Sequence, residues 1–187
     1  MDLSAFPQHL PQQYHDCLAL LKPILIGQVD LIGGTVYGTL AKTIHGTSCT
    51  HKDFDFLVDG IKEPLAFSGF KTGMSRLGNP RLTGPDIMID LLLITNVHSI
   101  HRRGLAPSRE NYLSGVPLTV QSIAYDTVEG RLIGEVGISS VLEKTVGANN
   151  PEEAEFEAQR KGFGRVEEYI DSIAEKLGFT PIYPRKT

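Results

Sequence analysis

Apolar residues recur along this chain with two periods, and the switches between them mark its elements. From Pro11 to Lys22, the residues Tyr14, Cys17, Leu18 and Leu21 fall on one helical face, and Pro23 stops the helix. In ILIGQVDLIGG the period changes to alternation. Val29 and Leu31 stand against Asp30 and Ile32, which predicts a short strand ending at Gly33-Gly34. Val36, Leu40 and Ile44 then repeat at four-residue spacing, so a helix starts directly after the glycines. HGTSCTH reads as a polar loop. From Asp53 to Val58 the alternation is strict, with Asp53, Asp55 and Leu57 on one face and Phe54, Phe56 and Val58 on the other. That strand ends at Asp59-Gly60.

Residues 60–85 are rich in Gly and Pro and read as loop with one short strand or turn of helix. DIMIDLLLI is a strand that turns Met88, Asp90 and Leu92 one way and Ile89, Leu91 and Leu93 the other. Asp59 and Asp86 read as turn residues. HSIHRRGLAPSRENYLSG is a polar connection, LTVQSIAYD fits a strand or a short helix, and a last short strand is expected around Leu132 and Ile133. At Asn150 the period returns to helical. Asn150 is an N-cap, Pro151 takes the first helical position and Glu152 and Glu153 fill the first turn. Phe156, Phe163, Val166, Ile170, Ile173 and Leu177 form the apolar face, Gly162 and Gly164 kink or split the helix, and Gly178 closes it. The expected organisation is a domain over residues 1–149, a helix over 150–178 packed on that domain, and a tail over 179–187. The fold class expected is α/β (α+β): a mixed, twisted sheet of four or five strands with helices on one face.

A length of 187 residues with 41 % hydrophobic positions suits one domain with its own core. The formal net charge of −4 excludes electrostatic binding of extended nucleic acid and leaves room for a nucleic-acid end held by a few contacts. Cys17 and Cys49 make neither a disulfide framework nor a zinc spacing and read as reduced thiols. The N-terminus lacks the basic and apolar regions of a signal peptide, and the most apolar run, Ile87 to Ile94, carries Asp90 and is too short to cross a bilayer. A soluble, cytoplasmic protein is expected.

The combination that carries chemistry is strand, Gly33-Gly34, helix, then Lys52-Asp53-Phe54-Asp55 on a strand and Asp90 on a later one. Residues two apart on a strand share a face, so Asp53 and Asp55 project together, roughly 6–7 Å apart. Setting Asp90 beside them would be costly without cations, because clustered carboxylates raise each other's pKa. A divalent ion resolves that conflict: Mg²⁺ prefers carboxylate oxygens plus substrate phosphates. A helix starting at Thr35 after two glycines offers free N–H groups and lets a phosphate approach the backbone.

Taken alone, a glycine pair is a tight turn, a D-x-D a solvated edge or a calcium site, and Asp90 a strand residue paired with Lys or Arg. Taken in order, VDLIGGTVYGTLA followed by KDFDFLV resembles the nucleotidyltransferase fold of DNA polymerase beta, poly(A) polymerases and CCA-adding enzymes. It looks most like the head domain of the last two. PLTVQSIAYDTVEGRLI is similar to a second stretch of that group, and together these cover residues 28–140. The resemblance implies Mg²⁺ or Mn²⁺ held by Asp53, Asp55 and Asp90, an NTP whose phosphates meet Gly33 and Gly34 with Thr35 and Lys52 close by, and Asp90 as a base. An acceptor hydroxyl (of a small molecule, an RNA end or a protein) attacks the α-phosphorus and pyrophosphate leaves.

The arginine and aspartate that the group carries after Gly-Gly are Tyr37 and Gly38 here, and its Arg-Arg-Asp is Gly115-Val116-Pro117, so those roles do not transfer. The alternative is a catalytically degenerate binding or regulatory protein of the same fold, such as one half of a toxin–antitoxin-like pair. Arg102, Arg103 and Arg109 are candidates to grip an anion, with surface-loop arginines as the plain alternative. His45 and His51 flank the loop before D-x-D, and His98 and His101 lie three apart without further zinc ligands.

Overall fold

The computed structural model describes residues 3, 5–47 and 52–183, so Cys49 and His51 lie outside the described residues. The chain begins with a short helix α1 (Phe6–His9) and α2 (Gln12–Leu21), then strand β1 (Leu25–Ile32), α3 (Gly34–His45) and β2 (Asp53–Ile61). A hairpin of β3 (Lys71–Met74) and β4 (Pro80–Thr83) leads into β5 (Met88–Leu93). Two short helices follow, α4 (His98–Arg102) and α5 (Arg109–Leu113), and then β6 (Ala124–Asp126), β7 (Arg131–Ile133), α6 (Glu135–Leu142) and β8 (Thr145–Gly147). The chain closes with α7 (Pro151–Arg160), α8 (Val166–Leu177) and β9 (Thr180–Ile182).

Seven strands form one mixed sheet in the order β3-β4-β5-β2-β1-β6-β7, and β8 and β9 pair separately in parallel. Within the large sheet β2 and β5 run parallel and the other neighbours are antiparallel. The strands beyond the expected four or five come from the β3–β4 hairpin, whose Gly- and Pro-rich sequence hides it, while LTVQSIAYD, open between strand and short helix, divides into both. There Thr119–Gln121 makes a single 3-10 turn and Ala124–Asp126 the strand β6.

Strand alternation sorts the side chains into two layers. Val29, Leu31, Phe54, Phe56, Val58, Ile89 and Leu91 face the main core with residues of α1, α2, α3, α6, α7 and α8. Ile32, Leu57 and Ala124 face the other way and meet Val97, Ile100 and Leu113. The polar stretch after β5 therefore supplies a small second layer through α4 and α5, which its composition did not announce. Asp53, Asp55 and Asp90 share strand faces with Leu57 and Leu92, so the acids lie on the side that this small layer only partly covers.

Three local features place these elements. Gly33 caps α3 with φ +72°, a backbone conformation that L side chains rarely adopt. Asp59, expected in a turn, lies within β2, where its carboxylate accepts the Gln28 N–H at 2.8 Å beside the β1 irregularity between Ile26 and Val29. Asn150 caps α7 through its side chain, which accepts the Glu153 N–H at 3.2 Å, and Pro151 follows it. The break marked by Gly162 and Gly164 separates α7 from α8, and Tyr169, Ile170, Ala174 and Leu177 of α8 join the main core.

Candidate active site

The site is one row across four adjacent strands. In the parallel pair, Asp55 of β2 stands opposite Asp90 of β5, and Asp90 stands opposite Arg81 of β4. On the other side Asp55 stands opposite Ile32, the last residue of β1, so the chain turns at Gly33 beside the Asp55 carboxylate. Neighbouring strands lie about 4.8 Å apart, which brings the two carboxylates side by side. Asp53 is two residues earlier on β2, on the same face and exposed. Gly33, Gly34, Asp55 and Asp90 line one cavity of about 590 Å³.

Electrostatics mark Asp55 as the strained member. Burial, then the nearby Asp90 and Asp53 charges, push its pKa from the ordinary 3.8 up to about 7, against the opposing pull of Arg81. The Arg81 guanidinium grips Asp90 with both arms, Nε to Oδ1 and Nη2 to Oδ2, each at 2.6 Å. Burial and the Asp55 and Asp30 charges also push the Tyr112 hydroxyl, on the cavity wall, well above its usual range.

At the start of α3, the N–H groups of Val36 and Tyr37 turn back to Gly33 O, at 3.1 and 3.4 Å. Those of Gly34 and Thr35 have no intrahelical acceptor, as at any helix start. The Thr35 side chain is buried and donates to Asp53 O at 3.0 Å, fastening α3 to β2, so its hydroxyl serves the scaffold. Lys52 is exposed just ahead of β2 and, like Thr35, is not part of the cavity wall.

The opposite wall comes from α4 and α7. Arg102 pairs with Glu153, with Nε at 3.1 Å from Oε1, and its guanidinium lies 4.1 Å from the centroid of the Phe156 ring. Glu157 pairs with Arg160 at 2.6 Å and with Lys161 at 3.6 Å. Sequence reasoning passed over Arg81, Tyr112 and all of α7 as site residues. Arg81 sat in a segment read as loop, and the α7 groups reach the cavity only through tertiary packing.

The other candidates have structural partners. Arg109 is bidentate to Asp30 (2.8 and 2.6 Å) and also donates to Asp126 (2.8 Å), which ties α5 to β1 and β6. Arg103 donates to Ser99 O at 3.0 Å and to Ser114 Oγ at 2.9 Å, and also to Asn111 O. His45 Nε2 is 2.8 Å from Val141 O and its ring meets Phe179 edge-on, so it belongs to the packing of α3 on α6. His101 is bound to Thr95 O at 2.6 Å, whereas His98 lines the cavity.

Oxygen donors clustered to the point of mutual repulsion suit a hard divalent cation, and a Cβ at Gly33 would fill the space against Asp55. Asp53 and Asp55 fit that role. Among the described residues, however, no three His, Cys, Asp or Glu side chains are gathered as a ready metal cage, and Asp90 is turned to Arg81. The three acids therefore share a face, with Asp90 paired to Arg81 and, among the described residues, no basic side chain hydrogen-bonded to Asp53 or Asp55.

No family model matches the sequence, and no curated protein matches it. Solved structures do. A CCA-adding enzyme in complex with ATP aligns over 97 % of this chain and 42 % of its own, at TM-score 0.62 and 11 % identity. A CCA-adding enzyme with CTP aligns over 94 % and 46 %, at TM-score 0.57 and 15 % identity. The Bacillus stearothermophilus CCA-adding enzyme in complex with CTP aligns over 97 % and 42 %, at TM-score 0.56 and 18 % identity. The chain spans less than half the length of these proteins. No described helix is long and apolar enough to cross a membrane. With the strand–Gly-Gly–helix start, the D-x-D strand and the third acid in register on its neighbour, the chain has the nucleotidyltransferase fold, at low sequence identity to the CCA-adding enzymes.

Proposed function

We propose that this protein is a metal-dependent nucleotidyltransferase that moves a nucleoside monophosphate from an NTP to an acceptor hydroxyl and releases pyrophosphate. One observation carries the reading: Asp55, with Asp90 opposite it on the neighbouring strand and Asp53 on its own face of β2, stands against the glycine turn that opens α3. Asp53 and Asp55 would hold Mg²⁺ or Mn²⁺. When bound, the cation would neutralise these carboxylates and the triphosphate and ease displacement at the α-phosphorus.

The chain's own groups do the rest. The N–H groups of Gly34 and Thr35, at the positive end of α3, would donate to phosphate oxygens, and Gly33 leaves room for them. Arg76, Arg160 and Lys161 also line the cavity, the last two paired with Glu157. The acceptor oxygen bonds to the α-phosphorus as the bond to the bridging oxygen breaks, and the departing pyrophosphate takes that electron pair. The proton of the acceptor hydroxyl must leave it. The resemblance assigns that proton to Asp90, whose two oxygens already receive Arg81.

The test is thermal unfolding with each NTP and Mg²⁺ or Mn²⁺. A ligand bound only by the folded state raises Tm by mass action. Asp53→Asn with Asp55→Asn should abolish the metal-dependent part of that rise, and pyrophosphate release from a labelled NTP would report transfer. No rise with any NTP would remove the reading. A second reading, nucleotide binding without transfer, is favoured by the uncharged Tyr37 and Gly115-Val116-Pro117 on the cavity wall. It predicts the same rise in Tm with no pyrophosphate.

A further inference from the structure

We infer that the guanidinium of Arg81 takes the place of a second cation at this site, so that the acidic face accepts one divalent ion, through Asp53 and Asp55, rather than two. The inference rests on the metal-dependent reading above.

Register puts the relevant groups in line. Arg81, Asp90 and Asp55 stand opposite one another on β4, β5 and β2, and all three line the same cavity. The strand pairing fixes this order, so the guanidinium reaches Asp90 from the side away from Asp55. The contact is a planar fork that matches both carboxylate oxygens at 2.6 Å. Such bidentate, charge-assisted pairs are the strong class of ion pair. The Asp90 side chain is 14 % exposed and that of Arg81 33 %, so water screens the pair less than a pair on the open surface.

A metal ion that used Asp90 would have to displace at least one arm of the fork. It would also approach a fixed positive charge from a few ångströms away, which opposes it electrostatically. Charge balance points the same way. Three carboxylates are neutralised by one divalent ion together with one guanidinium, whereas two divalent ions with Arg81 in place leave a surplus of positive charge before any phosphate arrives. Among the described residues no three-ligand cage is gathered, and both Asp90 oxygens are turned to Arg81.

The experiment is a Mn²⁺ titration of the purified chain without nucleotide, with free Mn²⁺ read by electron paramagnetic resonance. The wild type should bind one ion. Arg81→Met, of similar length and without charge, should bind two, and adding Asp90→Asn to it should return the count to one. Arg81→Lys should stay at one because the charge remains. Far-ultraviolet circular dichroism checks the fold of each variant. If Arg81→Met does not fold, Asp90→Asn alone serves, and it should retain the single ion. Two ions in the wild type would overturn this inference and leave the nucleotidyltransferase reading standing. A single ion in folded Arg81→Met, or loss of the ion in Asp90→Asn, would also overturn it. No bound ion in the wild type would overturn it together with the metal-dependent reading.

Discussion

The α-carbon of Gly33 faces the carboxylate of Asp55 so closely that a methyl group added there would lie 2.6 Å from Asp55 Oδ2. Gly33 also has φ +72°, so a side chain would meet both a clash and an unfavourable backbone. Gly34, its neighbour, would place the same methyl 3.6 Å from the Tyr37 hydroxyl, an ordinary contact. Gly33→Ala should therefore cost about 1–3 kcal/mol from backbone conformation alone and should abolish any nucleotide-dependent rise in Tm. Gly34→Ala should leave stability nearly unchanged. Equal losses in urea unfolding for the two variants would refute this assignment.

Asp55 makes the metal-free protein sensitive to pH. Its folded pKa of about 7 lies above the ordinary 3.8, so between these values the folded chain keeps a proton that the unfolded chain has lost. The contribution is fully present below 3.8 and is lost as pH rises through about 7. Stability should fall across that window by at most about 1.4 kcal/mol per pH unit. Asp55→Asn should flatten the profile and stabilise the metal-free chain at pH 8 relative to the wild type. Denaturant unfolding at a series of pH values measures both slopes.

Arg109 bridges two carboxylates inside the protein, and its side chain is 13 % exposed against 1 % for Asp30. Burial holds Asp30 above its usual range even though Arg109 and Gln28 pull it down. Removing the guanidinium leaves buried charge without a partner, so Arg109→Met should cost about 3–5 kcal/mol. Adding Asp30→Asn should recover part of that loss. A single-variant cost below about 1 kcal/mol, as for a surface pair, would show that the triad does not anchor α5.

The role of Thr35 separates scaffold from ligand contact. Its hydroxyl donates to Asp53 O in a buried setting, so Thr35→Val should cost about 1 kcal/mol. Thr35→Ser should restore most of it. Nucleotide-dependent stabilisation should persist in both variants, because Thr35 would meet phosphate through its backbone N–H. Loss of nucleotide binding in Thr35→Val at unchanged stability would assign the hydroxyl to the ligand instead.

Much of the fold could be read from periodicity. The strict alternation from Asp53 to Val58 determined which residues of β2 face the core, and Gly33-Gly34 determined where β1 ends and α3 begins. Asn150-Pro151 located the start of α7, and the glycines at 162 and 164 its separation from α8. These are local properties: a side chain's period and a backbone's permitted φ depend on near neighbours in the chain. The same alternation put Asp53, Asp55 and Asp90 on the faces they occupy.

Tertiary structure alone decided what those acids meet. Nothing in the Gly- and Pro-rich segment distinguishes Arg81 from any loop arginine until β4 pairs with β5 and sets it opposite Asp90. Arg109 likewise looks like a surface residue until α5 docks and closes it over Asp30 and Asp126. The cavity wall from α7 exists only because the last helices fold back onto the body. The physical reason is that periodicity assigns a side chain to a face, but whether a charge is paired, strained or left for a ligand depends on partners from other elements, nine residues away for Arg81 and Asp90 and 79 for Arg109 and Asp30. Those partners arrive only when the sheet's register and the helix packing are complete.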